Sequence, residues 1–150
     1  MRIRSLAFVF VALVSLVGCT PIGNGPRVSE RKAIALVKAN SPLVQHSETQ
    51  TTPPGPVWWV IYGRDKEDRP LAVWVSDQVE GYTFLDEGIS RAEAVNLAKA
   101  VGYGEVAPNP VLVNPTQPTW AVTVKVRPDY WATLRVDKAT GEVTQPPAEP

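Results

Sequence analysis

An internal repeat is the feature that most constrains what this chain can fold into. At an offset of 61 residues, the segment Val28–Ala39 matches the segment Ile89–Ala100 at a serine, two alanines, a leucine and a lysine. The same offset aligns Trp59 with Trp120, Ile61 with Val122, Val73 with Leu134 and Val75 with Val136. One extra residue in the first copy then aligns Gly81 with Gly141. Two copies are too few for a solenoid, so the repeat predicts two small domains or one pseudo-twofold unit.

Each copy is predicted to open with a helix. Ser90 and Glu93 have the spacing of a capping box, and Ser29 is the candidate N-cap of the first helix. Asn40 and Gly102 tolerate the left-handed conformation in which many helices end. The two helices are therefore expected to begin just after Ser29 and Ser90.

Runs of β-forming residues follow each helix, and the short, turn-rich segments between them favour antiparallel hairpins. The predicted strands are Leu43–Thr49, Val57–Gly63, Leu71–Ser76 and Val79–Leu85 in the first copy, and Val106–Val113, Thr119–Val126, Tyr130–Asp137 and Glu142–Gln145 in the second. The predicted fold class is α+β: two tandem repeats, each with one helix packed on an antiparallel sheet of about four strands.

Alternation along these strands assigns one face of each sheet to the core. The residues predicted to face the helix in the first copy are Trp59, Ile61, Val73 and Val75. The opposite face then carries an apolar patch, which we name the aromatic face: Trp58, Val60, Tyr62 and Trp74. Its counterparts in the second copy are Thr119, Ala121, Thr123 and Arg135. Because a patch of this kind is normally covered, the aromatic face is a candidate surface for a partner or for the other repeat.

The first nineteen residues match a bacterial lipoprotein signal. Arg2 and Arg4 precede an apolar run that is shorter than the roughly 20 residues of a membrane-spanning helix. The run ends in Leu16-Val17-Gly18-Cys19, which matches the lipobox, whose cysteine is lipidated and becomes the first mature residue. We expect lipidation at Cys19 and stable anchoring to the extracytoplasmic face of the cell membrane. The predicted organisation is a signal peptide at 1–18, a tether at 19–27, a first repeat at 28–86, a second repeat at 87–145 and a Pro-rich tail at 146–150.

Charge and residue inventory argue against nucleic-acid binding and against catalysis. Loss of Arg2 and Arg4 with the signal leaves 13 of the 15 basic residues against 15 acidic ones, with no basic stripe. His46 is the single histidine and Cys19 the single cysteine, so neither a Cys–His pair nor a zinc cluster is expected. The acidic residues Asp65, Glu67 and Asp68 alternate with Arg64, Lys66 and Arg69, which is typical of a solvated hairpin tip. We therefore expect a protein that is not an enzyme and that uses no cofactor and no metal.

A series of motifs resembles a known family. In chain order they are Ser29–Ala39, Trp59–Gly63, Ala72–Val75, Gly88–Lys99, Trp120–Val124 and Val136–Val143. The last, Val-Asp-Lys-Ala-Thr-Gly-Glu-Val, is similar to the late signature of the PepSY superfamily, an acidic residue followed by Ala-Thr-Gly-Glu-Val. A tandem of two such units behind a membrane anchor resembles the TseB-like (YpmB-like) cell-wall elongation regulators of Gram-positive bacteria.

The resemblance implies a cystatin-like fold for each repeat and a role in cell-wall organisation and cell shape. The implied partner is a class B penicillin-binding protein, or another membrane-anchored wall-synthesis protein. An alternative function stays open, because PepSY units also occur in protease propeptides: an inhibitory module for a secreted peptidase. The chain departs from the family at its anchor, where a lipobox replaces the usual uncleaved transmembrane helix. Any partner contact is therefore expected from the folded domains.

The lipobox generates a first prediction. Cys19→Ala removes the thiol that would carry the lipid, so we expect the variant to be released into the medium or to remain as an unprocessed precursor. Fractionation and gel mobility of the two proteins measure this. A variant that fractionates and migrates like the wild type would contradict lipidation at Cys19.

Overall fold

The computed structural model describes residues 26–52 and 57–144. Cys19, the signal peptide and the Pro-rich tail lie outside these ranges. The elements in chain order are α1 (Glu30–Asn40), β1 (Gln45–Thr51), β2 (Trp59–Arg64), β3 (Pro70–Val75), β4 (Val79–Phe84), α2 (Arg91–Ala100), β5 (Glu105–Val106), β6 (Val111–Val113), β7 (Thr119–Arg127), β8 (Tyr130–Asp137) and β9 (Val143–Thr144). The two helices and two antiparallel sheets confirm the predicted α+β class. Elements α1 to β4 are named the first unit, and α2 to β9 the second unit.

Helix α1 begins at the predicted cap and ends differently from the prediction. The Ser29 side chain accepts a hydrogen bond from the backbone N–H of Lys32 at 3.4 Å. Asn40 is the last helical residue, and the next residue, Ser41, is extended and not left-handed. The Ser41 hydroxyl donates to the carbonyl of Val37 at 2.7 Å, which satisfies one of the carbonyls that a helix end leaves free.

Helix α2 has the predicted capping box. The Ser90 hydroxyl accepts from the Glu93 N–H at 3.2 Å, and the Glu93 carboxylate accepts from the Ser90 N–H at 2.8 Å. The bond from the Ser90 N–H favours the charged carboxylate and lowers the pKa of Glu93. At the other end, Gly102 has a φ of 103°, in the left-handed region that favours glycine.

Four antiparallel strands form the first sheet in the order β1-β2-β3-β4. Trp59 stands opposite Val75 and Ile61 opposite Val73, so these side chains share one face. Helix α1 covers that face and closes a core of buried residues: Ala33, Val37, Leu43, Ile61, Leu71, Val73 and Val75. The helix-facing residues predicted by alternation therefore pack where expected.

The second sheet has five strands, and the prediction of one strand at Val106–Val113 is wrong. The segment forms two short strands, β5 and β6, which both pair with β7. Pro108 and Pro110 lie between them and lack the N–H that a continuous ladder requires. Strand β8 pairs with the full length of β7 and, further along, with β9.

The strand ladders revise one detail of the sequence alignment. Val75 pairs with Val79 in the first unit, and its counterpart Val136 pairs with Val143 in the second. Val143 thus occupies the position of Val79, and the alignment of Gly81 with Gly141 is wrong. The reason is the longer turn of the second unit, in which the Asp137 carboxylate accepts from the N–H groups of Ala139 and Thr140.

One contact recurs in both units at the offset of the repeat. The indole N–H of Trp59 donates to the carbonyl of Val28 at 2.8 Å, and that of Trp120 donates to the carbonyl of Ile89 at 2.8 Å. In each unit the bond joins an inner strand of the sheet, β2 or β7, to the residue before the helix cap. It fixes how the chain enters the helix.

Gly63 in β2 generates the second prediction. A Cβ at this position would lie 2.0 Å from the backbone carbonyl oxygen of Gln45, whereas a Cβ at Gly104 would meet nothing within 4 Å. We expect Gly63→Ala to destabilise the protein by about 1–3 kcal/mol, because the backbone of β1 must shift. The matched Gly104→Ala change should stay within about 0.5 kcal/mol. Urea denaturation of both variants measures the difference, and equal stabilities would contradict the close approach of β1.

Candidate functional site

The aromatic face of the first sheet is buried against the second unit. Val60 and Trp74 are 0% exposed and Tyr62 is 3% exposed. They belong to one core cluster with residues of the second unit, and Trp58 packs against it from the rim. The second-unit members of the cluster are Ala94, Ala98, Leu112, Trp120, Val122, Val124, Leu134 and Val136. The sequence left two candidates to cover this face, a partner and the other repeat. The structure shows that the second unit covers it.

Two hydrogen bonds join the aromatic face to a single residue of β6. The indole N–H of Trp74 donates to the carbonyl of Leu112 at 3.1 Å. The backbone N–H of Leu112 donates to the phenolic oxygen of Tyr62 at 3.2 Å. The N–H and the carbonyl of Leu112 are thus both hydrogen-bonded by residues of the first unit inside the core. An unpaired backbone group there would cost about 1–3 kcal/mol. Burial also raises the pKa of the Tyr62 phenol above its usual 10.0.

Arg91, the first residue of α2, makes a further link between the units. Its guanidinium donates to the Glu48 carboxylate of β1 at 3.1 Å. The same group lies 4.8 Å from the ring centroid of Tyr62 and 5.8 Å from that of Trp120. Both partners of the ion pair are partly exposed, so the pair contributes only about 0.2–1 kcal/mol. The pair connects the first turn of α2 to strand β1 of the first sheet.

The connection between the units is tied down by the turn after β8. Lys138 is only 4% exposed, and its ammonium donates to the carbonyl of Glu87. The Ile89 N–H donates to the carbonyl of Lys138 at 2.7 Å. Gly88 has a φ of 66°, and a Cβ there would lie 2.2 Å from the Lys138 carbonyl oxygen. Burial lowers the pKa of Lys138. These contacts hold the linker against the second unit.

Two clefts open along the junction. The first, of about 380 Å³, has Glu48, Tyr62 and Arg91 in its wall. The second, of about 370 Å³, is lined by Glu87, Asp137 and Lys138. The polar residues named for each wall take part in the bonds described above, so the present arrangement of these residues is structural.

The other residues singled out in the sequence lie apart from this junction. His46, in β1, shares a hydrogen bond of 2.9 Å with the Thr49 hydroxyl. Asp65 is 7% exposed and accepts from the N–H groups of Glu67 and Arg69, which builds the tip of the β2–β3 hairpin. Within residues 26–52 and 57–144, no group of three or more His, Cys, Asp or Glu residues is placed to hold a metal ion. Cys19 lies outside the described residues.

Sequence reasoning missed the polar residues of the junction. Arg91 sits in the helix pattern as an ordinary surface residue, and Glu48 as an exposed strand residue. Gln50 was also missed; its buried Oε1 has no hydrogen-bond partner. No signal in the sequence identifies these residues, because their environment depends on how the two units meet.

Exposed apolar side chains on the described surface are few. The large hydrophobic residues of this kind are Val44, Tyr82, Val126 and Trp131. Trp131, in β8, is 42% exposed and lies 5.5 Å from the ammonium of Lys125. The apolar surface still open to a partner on the described part of the second unit is therefore near the β7–β8 hairpin.

No family model matches the sequence, and no curated protein sequence matches it. Among solved structures, the chain is similar to the YpmB protein from Bacillus subtilis, with a TM-score of 0.68 and 23% sequence identity. The match covers 78% of this chain and 94% of that chain. The two chains thus share a fold over nearly the whole of the solved YpmB chain. Neither helix in the described part of the chain is long and apolar enough to span a membrane.

The buried aromatic face generates the third prediction. Trp74→Ala leaves a cavity between the units and frees the Leu112 carbonyl, so we expect a loss of about 3–5 kcal/mol in the free energy of unfolding. Tyr82, in the same sheet but 47% exposed, supplies the control: Tyr82→Ala should change stability by about 0.5 kcal/mol or less. Guanidinium denaturation compares the two. An unchanged midpoint for Trp74→Ala would contradict the contact between the units.

Proposed function

We propose that this protein is a membrane-tethered, extracytoplasmic regulator that binds a cell-wall elongation synthase, with a class B penicillin-binding protein as its partner. The observation that carries the proposal is the similarity of fold to YpmB, which extends over 94% of that chain. The sequence supports it through the ordered motifs of the TseB-like (YpmB-like) family and the lipobox at Cys19. Membership of that family, with two PepSY-like repeats, is part of the proposal.

A binding role is compatible with the way the two units are joined. The residues that pair across the junction, Tyr62, Trp74 and Leu112, hold the units in one orientation. A body of this kind presents preformed outer surfaces, and preformed surfaces lose little conformational entropy on association. A lipid at Cys19 would keep these surfaces close to the membrane, where anchored synthases work.

Affinity capture tests the proposal. A full-length, C-terminally tagged protein is expressed in its native cells, purified from detergent-solubilised membranes and probed with a fluorescent penicillin. We expect a labelled class B penicillin-binding protein in the eluate, enriched tenfold or more over an unrelated tagged lipoprotein. The Tyr82→Ala variant should capture as the wild type does, and Trp74→Ala should lose capture together with its fold.

The outcome also separates the proposal from peptidase inhibition. Wild-type eluates that lack any class B penicillin-binding protein would contradict a synthase partner. If a secreted peptidase is captured and its activity falls when the purified protein is added, the inhibitory function holds instead.

A further inference from the structure

Helix α1 presents a basic surface to solvent. Its buried residues, Ala33 and Val37, pack on the first sheet, so the opposite side of the helix faces outward. Helical spacing brings Arg31 and Lys38, two turns apart, to the middle of that side and places Lys32 at its flank. All three basic residues are exposed. We name this surface the basic α1 face.

Within the described residues, the basic α1 face makes no ion pairs. The other basic residues between 27 and 86 all pair with a carboxylate at 2.8–3.8 Å: Arg27, Arg64, Lys66 and Arg69. Two acidic residues lie near the start of the helix: Glu30 in its first turn, and Asp77, which pairs with Arg27 and interacts electrostatically with Lys32. With Arg27 included, four basic residues stand against these two, so the surface keeps a net positive charge.

The corresponding face of α2 is not basic. At the offset of the repeat, Ala92 and Glu93 stand in the places of Arg31 and Lys32, and the last lysine alone is repeated, as Lys99. The outward face of α1 thus carries three positive charges, whereas that of α2 carries one charge of each sign. Because both helices pack on a sheet of their own unit, helix packing does not require the basic residues of α1.

We propose that the basic α1 face binds the anionic lipid headgroups of the membrane to which the protein is tethered. Each Lys or Arg close to an anionic lipid surface raises partitioning onto it roughly fivefold, because its charge lies in the negative surface potential. The inference takes the membrane tether from the proposed function and is independent of the synthase partner. Binding through α1 fixes which side of the protein faces the membrane.

The composition of the face favours a charged plane over a protein partner. Ala35 and Ala39, which stand between the basic residues, are exposed and too small to obstruct a close approach. The face carries no aromatic or large aliphatic residue, and protein interfaces depend on such residues as anchors. The large apolar side chains of α1 pack against the core of the first unit, so we expect the helix to adsorb on headgroups and not to insert between lipids.

The length of the tether allows α1 to reach the membrane surface. Residues 20–27 separate the expected lipidation site, Cys19, from the start of the first unit, and eight residues span at most ~28 Å. Residues 20–26 contain no charged side chain, so the tether does not neutralise the face. Attraction by charge acts over about 8 Å at physiological ionic strength. A short link also raises the local concentration of headgroups, so weak individual contacts suffice.

Chemical labelling of lysines tests the proposal on the tethered protein. The mature chain, residues 19–150, is coupled through its single thiol, Cys19, to a maleimide lipid in vesicles. Lysines are then acetylated with a neutral reagent and quantified by mass spectrometry. On vesicles of equal parts phosphatidylglycerol and phosphatidylcholine, we expect Lys32 and Lys38 to react about fivefold or more slowly than on pure phosphatidylcholine. Lys99, at the equivalent position of α2, should react at the same rate on both.

Two double variants with the same change in net charge isolate α1. Arg31→Gln with Lys38→Gln removes two charges from the basic α1 face, whereas Lys66→Gln with Lys99→Gln removes two elsewhere. All four residues are exposed, so urea denaturation should show both variants folded. When the uncoupled mature chain is sedimented with the anionic vesicles, the first variant should partition about tenfold more weakly and the second less than about threefold. Equal losses, or a wild type that does not bind these vesicles, would overturn the proposal.

Two further measurements identify other causes of protection. If soluble polyglycerol phosphate, mixed with neutral vesicles, protects Lys32 and Lys38 as well as anionic vesicles do at equal phosphate concentration, the face binds a free polymer and the proposal is wrong. If high salt leaves the protection on anionic vesicles unchanged, attraction by charge is not its cause and the proposal is equally wrong. We expect weak protection by the polymer and loss of the vesicle protection at high salt.

Capture in detergent separates this inference from the proposed function. Detergent removes the lipid surface, so the variant with Arg31→Gln and Lys38→Gln should capture the class B penicillin-binding protein as the wild type does. If this variant loses the synthase, α1 contacts the protein partner and the lipid assignment is wrong. If Lys32 and Lys38 are protected on anionic vesicles but the wild type captures no synthase, this inference stands and the assigned partner is wrong.

Discussion

The docking of Leu112 on Tyr62 and Trp74 is the contact on which the arrangement of the two units depends. Leu112 belongs to β6, which lies at the edge of the second sheet, and its backbone groups would otherwise need water or another strand. The two aromatic side chains supply a donor and an acceptor from the face of the first sheet. Leu112 therefore contributes its side chain to the apolar core between the units, and its backbone hydrogen bonds satisfy the edge of the second sheet.

This contact explains why the two copies have diverged on one face and not on the other. The helix-facing residues keep their character in both units, because each helix needs the same apolar support. The opposite face of the first sheet has become aromatic where the second unit covers it. Of the four counterparts in the second unit, Thr119, Thr123 and Arg135 are polar and lie on the face of the sheet away from its helix, whereas Ala121 is buried and small. The aromatic composition of the first face thus agrees with its burial.

Much of the fold follows from the sequence because it depends on local chemistry. The caps at Ser29 and Ser90 and the alternation in β2 and β7 act within a few residues, and the structure agrees with them. The break between β5 and β6 could also have been predicted, since Pro108 and Pro110 interrupt the strand expected at Val106–Val113. Strand alternation correctly identified an apolar face, but it could not identify what covers it.

The junction itself could not be derived in this way. The pairing of Arg91 with Glu48, and the burial of Lys138 against Glu87, bring together residues from different elements. Both contacts depend on how elements far apart in the sequence pack together, which no local pattern encodes. Residues of this kind are found only once the packing is known.

The two units are joined at a sheet edge that one closes for the other. In the first unit, β4 covers β3 along nearly its whole length. In the second, the backbone groups of β6 that point away from β7 are hydrogen-bonded at Leu112 by Tyr62 and Trp74 of the first unit. The first unit therefore orients the second through the same two aromatic residues that satisfy this edge.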